Sequence, residues 1–158
     1  MCGIIAYVGD SEALPVLLDG LRRLEYRGYD SAGLALLNPG CIEVRKAVGR
    51  IANLASEIES SPVRGTVGIS HTRWATHGAV TRDNAHPHAD QSGKLHLVHN
   101  GVIENYQTLR EQLQERGHVF HSQTDTEVLA HLVGEAFDRS PARDGAALVE
   151  AVRQALKQ

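Results

Sequence analysis

A cysteine directly follows the initiator methionine of this chain, at Cys2. Removal of Met1 leaves a residue that carries both a thiol nucleophile and a free α-amine, which is a candidate base. An α-amine titrates near ~8 and a thiol near ~8.5, so both groups lie close to working pH. N-terminal amines are known to activate nucleophiles in this way. Taken alone, Cys2 is better explained as a small hydrophobic residue at the start of a strand, so the interpretation depends on the other polar residues.

Asn100 and Gly101 form an Asn-Gly pair that has two interpretations. Such a pair is a strong signal for a tight hairpin turn. Alternatively, the side-chain N–H groups of Asn100 and the backbone N–H of Gly101 could form an oxyanion hole. The loss of one oxyanion-hole donor costs about 3–4 kcal/mol of transition-state stabilisation, so this interpretation carries a large catalytic consequence.

Two other sites have the charges needed to bind a free amino acid. Arg73 lies with Thr76 and His77 where a predicted strand passes into a loop, and a guanidinium binds a carboxylate through two parallel hydrogen bonds. Asp125 lies in the first turn of a predicted helix, where it could hold a substrate ammonium group. The competing explanations are a solvated surface loop for the first site and compensation of the helix dipole for the second.

The nine histidines of the chain suggest a rival class of site, a metal centre. His86 and His88 form one candidate ligand pair, and His96 and His99 form another. However, the spacing of His96 and His99 on a predicted strand directs their side chains to opposite faces. The chain also has neither an HExxH motif nor a pair of cysteines at zinc-binding spacing. We therefore predict no metal site and no cofactor.

Length and composition restrict the remaining possibilities. A chain of 158 residues suits one domain with a substantial core. The net charge of −3 gives no reason to expect nucleic acid or an anionic membrane as a partner. Two cysteines do not make a disulfide framework, and neither a signal peptide nor a membrane span is visible. We expect a soluble, cytoplasmic protein, in which Cys41 has a structural role.

Hydrophobic periodicity predicts strands and helices in mixed order, with a hairpin around residues 38–40. Strict alternation of strand and helix is absent, which favours an α+β fold with antiparallel sheet. The first strand is expected to be central, with Cys2 at its leading end. A capping box is expected at residues 124–127. The predicted strands are 3–9, 32–37, 41–48, 66–73 and 95–99; the predicted helices are 14–24, 50–59, 105–116, one from about 125 and one from about 146 to 157.

Six sequence blocks then form a recognisable series: MCGII (1–5), RRLEYRGYDSAG (22–33), HTRWATHG (71–78), NAHPH (84–88), VHNG (98–101) and TDTE (124–127). With these blocks, the chain closely resembles the N-terminal class II glutamine amidotransferase domain of the glutamine–fructose-6-phosphate aminotransferase (glucosamine-6-phosphate synthase) family. The resemblance covers essentially the whole chain. It implies an N-terminal-nucleophile hydrolase fold, in which antiparallel sheets lie between layers of helices.

The resemblance also implies a role for each candidate residue. Cys2 is the implied nucleophile with its α-amine as general base, and Asn100 and Gly101 are the implied oxyanion hole. The implied substrate-binding residues are Arg73, Thr76 and His77 for the glutamine carboxylate and Asp125 for its amine. The residues implied to shape or gate the site are Arg27, Gly28, Trp74 and His86.

The resemblance further implies a function for the larger protein. The domain would hydrolyse L-glutamine to glutamate and supply ammonia for glucosamine 6-phosphate synthesis. Residues 1–158 would form a single but incomplete glutaminase domain, and the sugar-phosphate isomerase domain that follows it in the family is absent. The full-length protein is expected to be a homo-oligomer. Two alternatives are a class II amidotransferase that supplies a different acceptor and an inactive or metal-binding fragment.

Overall fold

A computed structural model describes residues 1–75 and 78–158 of the chain. Within them the larger sheet has four strands, which are β1 (Gly3–Val8), β2 (Ser31–Asn38), β3 (Cys41–Val48) and β4 (Val67–Arg73). The strands are antiparallel and follow the order β1-β4-β2-β3. A second, smaller sheet pairs β5 (His88–Ala89) with β6 (His96–Leu97). The predicted α+β class with antiparallel sheets is confirmed.

The helices lie close to the predicted positions. They are α1 (Ala13–Leu24), α2 (Ile51–Ser60), α3 (Tyr106–Glu115), α4 (Asp125–Arg139) and α5 (Gly145–Ala155), with a 3₁₀ turn (Glu25–Arg27) after α1. In α1, the buried side chains of Leu17 and Leu21 form one apolar stripe, while Arg22 and Arg23 lie in the last turn, where cations favour the helix dipole. No helix in the described part of the chain has the length and apolar character needed to cross a bilayer.

The strand that follows Cys2 is at the edge of the sheet, so the expectation of a central strand is wrong. Among the described residues, β1 pairs only with β4. The burial of β1 alternates, with Ile4 37% exposed and Val8 80% exposed, whereas residues 31–36 of the central strand β2 are all buried. Gly3 pairs with Thr72 in this register, which brings Cys2 next to the end of β4.

Two hydrophobic cores lie on different parts of the fold. The first joins α1, α2 and the larger sheet through residues such as Leu21, Leu34 and Leu54. The second joins α3, α4 and α5, with Leu113 and Val128 at its centre. An apolar cavity of about 650 Å³ separates the sheet from the second core. The catalytic candidates lie elsewhere, where β1, β4 and the start of α4 converge.

The start of α4 differs from the predicted capping box. Thr124 is the N-cap residue, but its side chain makes no capping hydrogen bond and instead contacts Ser122 and His88. Glu127 accepts hydrogen bonds from the backbone of His121 and from the backbone and hydroxyl of Ser122. The predicted capping box is wrong, because the side chains of Thr124 and Glu127 form these hydrogen bonds instead of the reciprocal capping hydrogen bonds.

Candidate active site

A small cavity brings together predicted site residues that are far apart in sequence. Its volume is about 50 Å³, which is room for about one or two water molecules. Its lining residues are Cys2, Arg73, Trp74, His86, His99, Asn100, Gly101, Thr124, Asp125 and Thr126. The larger apolar cavity contains none of the predicted site residues. We therefore take the small polar cavity as the candidate active site.

Cys2 lies directly against the end of β4. The backbone N–H of Trp74 donates to the Cys2 sulfur across 3.3 Å, and the sulfur lies 3.7 Å from the Trp74 carbonyl oxygen. The backbone N–H of Gly3 donates to the Thr72 hydroxyl at 3.1 Å. These contacts orient the thiol toward the cavity through a strand, which holds a nucleophile more firmly than a loop does.

Arg73 is the last residue of β4 and is only 4% exposed. Its Nη1 donates to the carbonyl oxygen of Ala79 at 3.2 Å. Burial lowers the pKa of the Arg73 guanidinium, while the nearby Cys2, Asp30 and Asp125 act in the opposite direction. A buried guanidinium beside a thiol and two acidic side chains is suited to receive a carboxylate from a bound molecule.

Asp125 supplies the opposite charge on the same cavity. It begins α4, and its Oδ2 accepts a hydrogen bond from the backbone N–H of Ile103 at 2.9 Å. Its other oxygen, Oδ1, lies 3.4 Å from the Thr126 hydroxyl. The cavity therefore has a cation at Arg73 and an anion at Asp125, which matches the two charges of a free amino acid.

Asn100 and Gly101 lie in the loop after β6, at the rim of the cavity. The Oδ1 of Asn100 lies 2.8 Å from Nε2 of His71. A Cβ atom at Gly101 would lie 2.6 Å from the His99 ring, so a larger residue there would require that ring to move. Of the two interpretations of this pair, the hairpin turn is not observed among the described residues, because β6 ends at Leu97 and no strand follows it before α3. The hairpin predicted around residues 38–40 is confirmed, since it joins β2 and β3.

A group of buried histidines supports this rim. The rings of His71 and His86 stack with centroids 4.0 Å apart, and His88 meets His86 edge-on at 4.6 Å. Burial lowers the pKa of His71 to about 4 and that of His88 to about 3. Burial also lowers the pKa of His86, and its neighbours His71 and His88 add to the shift. All three imidazoles are therefore neutral at pH 7.

The predicted shaping residues surround the Arg73–Trp74 backbone. A Cβ atom at Gly28 would lie 2.8 Å from the Arg73 carbonyl carbon, so this glycine permits close contact between two backbones. Asp30 accepts a hydrogen bond from the Ala75 backbone at 2.8 Å. The indole of Trp74 is 43% exposed and meets the Tyr29 ring edge-on at 5.5 Å.

Arg27 lies close to the N-terminus. Its guanidinium is 3.8 Å from the sulfur of Met1, which is itself 79% exposed. This places an exposed methionine next to the first residue of the candidate site, Cys2.

The loop after Arg73 is tied to the start of α4 by one side chain. The amide nitrogen of Asn84 donates to the Ala79 carbonyl at 2.9 Å, and its oxygen accepts from the backbone of Gln123 at 2.8 Å. Thr76 and His77, which were predicted to help bind a carboxylate, lie outside the described residues.

Sequence reasoning missed several residues of the site. His71 contacts Asn100, while His99, Thr124 and Thr126 line the cavity. The alternation of side chains along a strand could have indicated His71. It lies two residues before Arg73 on the same predicted strand, so the two side chains share a face. No comparable local signal marks His99, Thr124 or Thr126.

The histidines provide no evident metal centre in residues 1–75 and 78–158. No group of three or more His, Cys, Asp or Glu side chains there has the arrangement to hold an ion. The His86 Nδ1 accepts a hydrogen bond from the His99 backbone at 3.4 Å, and the His88 Nε2 contacts the Thr124 hydroxyl at 3.1 Å. These nitrogens are already used in structural hydrogen bonds.

Comparison with known families and proteins gives a consistent result. The family model described as "Glutamine amidotransferase domain" matches residues 40–140. A glutamine–fructose-6-phosphate aminotransferase (isomerizing) from Thermus thermophilus is 54% identical over 157 residues, which is 99% of this chain and 25% of that protein. The protein of the same name from Methanosarcina acetivorans is 53% identical over 164 residues, covering 100% of this chain and 26% of its own length. The chain thus spans about a quarter of these relatives.

Solved structures share the fold. A glutamine phosphoribosylpyrophosphate (PRPP) amidotransferase from B. subtilis, in complex with ADP and GMP, superposes with a TM-score of 0.79 at 30% identity, over 99% of this chain and 32% of that one. A structure described as the allosteric regulatory enzyme of purine biosynthesis gives a TM-score of 0.81 at 30% identity, over 99% and 33%. The expected N-terminal-nucleophile type of fold is confirmed by these neighbours.

Proposed function

Because this chain belongs to the glutamine amidotransferase domain family, we propose that it hydrolyses the side-chain amide of L-glutamine with Cys2 as nucleophile. One observation carries the proposal. The thiol of Cys2, the buried guanidinium of Arg73 and the carboxylate of Asp125 line a single cavity. These three groups are a nucleophile and the two charges that complement a free amino acid.

Substrate binding follows from those charges. Arg73, with Thr76 and His77, binds the α-carboxylate of glutamine, and Asp125 binds its α-ammonium group. With both ends held, the side-chain amide is directed at Cys2. The cavity of about 50 Å³ is smaller than the substrate, so its lining has to move for glutamine to enter. Trp74 is the proposed gate, because its indole is partly exposed at the edge of the cavity.

The reaction proceeds through a covalent intermediate. After Met1 is removed, the α-amine of Cys2 takes the thiol proton, directly or through water, and the sulfur attacks the side-chain carbonyl. Asn100 and Gly101 donate hydrogen bonds to the resulting oxyanion. The C–N bond breaks, the amine returns the proton to the departing nitrogen, and ammonia leaves. Water then attacks the thioester, which releases glutamate and restores the thiol.

The ammonia has a use in the larger protein. We propose that this chain is the glutaminase part of an isomerising glutamine–fructose-6-phosphate aminotransferase, with ammonia passing to a sugar-phosphate isomerase domain. The support is the identity of 54% and 53% with proteins of that name across this whole chain. On this proposal, residues 1–158 are one part of a glutaminase domain, and the full protein is a cytoplasmic homo-oligomer without nucleic acid or membrane partners.

A second candidate is an amidotransferase that supplies a different acceptor. The observation in its favour is the similarity of fold to the PRPP amidotransferase, with a TM-score of 0.79. The sequence identity to that structure is 30%, against 54% for the Thermus relative. The sugar-phosphate acceptor therefore has the stronger support.

The test combines intact mass with glutamate release on the same sample. We expect loss of one methionine together with hydrolysis of glutamine. Cys2→Ala should abolish turnover while glutamine binding persists, and Cys41→Ser is the matched control because Cys41 is exposed and does not line the cavity. Hydrolysis at the wild-type rate by Cys2→Ala would disprove the proposal. Assays of the full-length protein with fructose 6-phosphate and with PRPP would then distinguish the two acceptors.

A further inference from the structure

The carboxamide of Asn100 has two ends with different surroundings. Its oxygen lies 2.8 Å from Nε2 of His71. Its nitrogen has no hydrogen-bond partner in the part of the chain that the structure describes, and Asn100 lines the catalytic cavity. The two N–H groups of the Asn100 amide are therefore available as hydrogen-bond donors at the edge of the cavity, where the proposed reaction needs donors for the oxyanion.

The proton of the His71 ring is assigned by its partners. Burial lowers the pKa of His71 to about 4, so the ring carries one proton at pH 7. Nδ1 of His71 is buried and makes no hydrogen bond of normal geometry among the described residues, although the His99 backbone near the ring also favours its protonated form. A proton on Nδ1 would leave a buried donor unpaired and would set the Nε2 lone pair against the Asn100 oxygen. The proton therefore lies on Nε2, which donates to Asn100.

The ring that makes this hydrogen bond is held rigidly. His71 is 1% exposed and lies in β4, which has neighbouring strands on both sides. Its ring stacks on His86 with an interplanar angle of 11°. Arg73 lies two residues further along the same strand, and residues at this spacing share a face. One strand thus presents both the carboxylate-binding guanidinium and the donor to Asn100.

We propose that His71 is a positioning residue for the oxyanion hole: its Nε2–H holds the Asn100 oxygen and so directs the Asn100 amide nitrogen at the oxyanion. The inference rests on the proposed glutamine hydrolysis, because that reaction forms the oxyanion. If the carboxamide turned over, an oxygen lone pair would face the developing negative charge. His71 prevents this turn, because its Nε2–H can pair only with the oxygen end of the carboxamide.

A purely structural role for His71 makes a different prediction. A histidine that only fills the core would affect stability, whatever its hydrogen bond to Asn100. A positioning residue acts through Asn100, so its removal should lower kcat with little change in KM. It should also have no further effect once the Asn100 side chain is gone.

The experiment uses the full chain after Met1 removal and compares variants of His71. His71→Leu removes the donor, and His71→Gln offers an amide N–H at nearly the same reach. His131→Leu is the control, because His131 is nearly as buried but packs against Phe120, beside the second core. If His71→Leu fails to fold, His71→Asn replaces it, because the asparagine amide is too short to reach Asn100.

We expect His71→Leu to lower kcat about 10- to 100-fold with KM changed less than about threefold, since a misplaced donor approaches the effect of a lost one. His71→Gln should recover most of the activity, and His131→Leu should keep it. In an Asn100→Ala background, His71→Leu should add no further loss. Alkylation of Cys2 by iodoacetamide in a Cys41→Ser background should be unchanged, because that reaction forms no oxyanion.

Three outcomes would overturn the inference: wild-type kcat in His71→Leu, equal losses in the Leu and Gln variants, or additive losses with Asn100→Ala. Failure of the proposed function is separately visible. In that case the wild-type chain itself releases no glutamate after Met1 removal, and no comparison of His71 variants arises.

Discussion

The backbone N–H of Trp74 lies 3.3 Å from the sulfur of Cys2, although 72 residues separate the two in sequence. This contact connects the candidate nucleophile to the strand that carries Arg73. It follows from the register of β1 against β4, in which Gly3 pairs with Thr72. The chemistry proposed for the chain therefore depends on a small number of contacts around the end of β4.

The first prediction concerns the N-terminus. Protein that retains Met1 should release no glutamate, because the amine that would act as base is then part of a peptide bond. Treatment with a methionine aminopeptidase should restore activity in proportion to the methionine lost, measured by intact mass. Full activity in protein that retains Met1 would show that another group acts as the base.

The second prediction concerns Asp30, which accepts a hydrogen bond from Ala75 and donates its own N–H to the Arg73 carbonyl at 3.1 Å. Loss of the carboxylate should loosen the segment that carries Arg73 and Trp74. A hydrogen bond to a charged group contributes about 1.5–3 kcal/mol, so Asp30→Ala should raise the KM for glutamine about tenfold or more. Asp30→Asn keeps one acceptor oxygen and should show a smaller increase. Equal KM values for all three proteins would contradict this role.

The third prediction tests close backbone contact at Gly28. The Cβ of an alanine would lie 2.8 Å from the Arg73 carbonyl carbon and 3.0 Å from the Trp74 nitrogen. Because backbone atoms have to move, Gly28→Ala should destabilise the fold by about 1–3 kcal/mol and lower activity. Denaturant unfolding measures the first effect and glutamate release the second. Gly145→Ala is the control, since a Cβ there meets no atom within 4 Å.

The fourth prediction concerns pH and stability. Burial lowers the pKa of His88 from 6.5 to about 3, so the unfolded chain binds more protons than the folded chain between these values. The stabilisation is fully present above pH 6.5 and is lost as the pH falls toward 3. His71 and His86 act in the same direction, because burial lowers their pKa values as well.

Measurements of the free energy of unfolding between pH 7 and pH 4 test this directly. His88→Gln should reduce the slope by at most about 1.4 kcal/mol per pH unit, which corresponds to one proton. An unchanged slope in His88→Gln would contradict the prediction.

Periodicity and turn signals predicted the helices and the larger sheet well, because these elements depend on local patterns of apolar residues. The strand predicted at residues 95–99 is reduced to His96–Leu97, since the residues after it line the candidate active site. The edge position of β1 was missed because strand order depends on contacts between distant residues. The capping box at Thr124 failed for the same reason.

The site was predicted in part. Cys2, Arg73, Asn100, Gly101 and Asp125 were proposed from residue type or family resemblance, and they do line one cavity. The contact of His71 with Asn100 was missed, because it joins residues that are 29 positions apart. The strand period places His71 on the same face as Arg73 but does not indicate Asn100 as its partner. The roles proposed for all of these residues stay predictions, and Thr76 and His77 lie outside the described residues.

The edge position of β1 has a consequence for the thermal inactivation of the protein. In the part of the chain that the structure describes, only one ladder of hydrogen bonds attaches the strand after Cys2 to the sheet. Local opening of an edge strand needs less free energy than global unfolding. Thermal inactivation should therefore begin before the helices melt, and amide exchange should be faster in β1 than in β4.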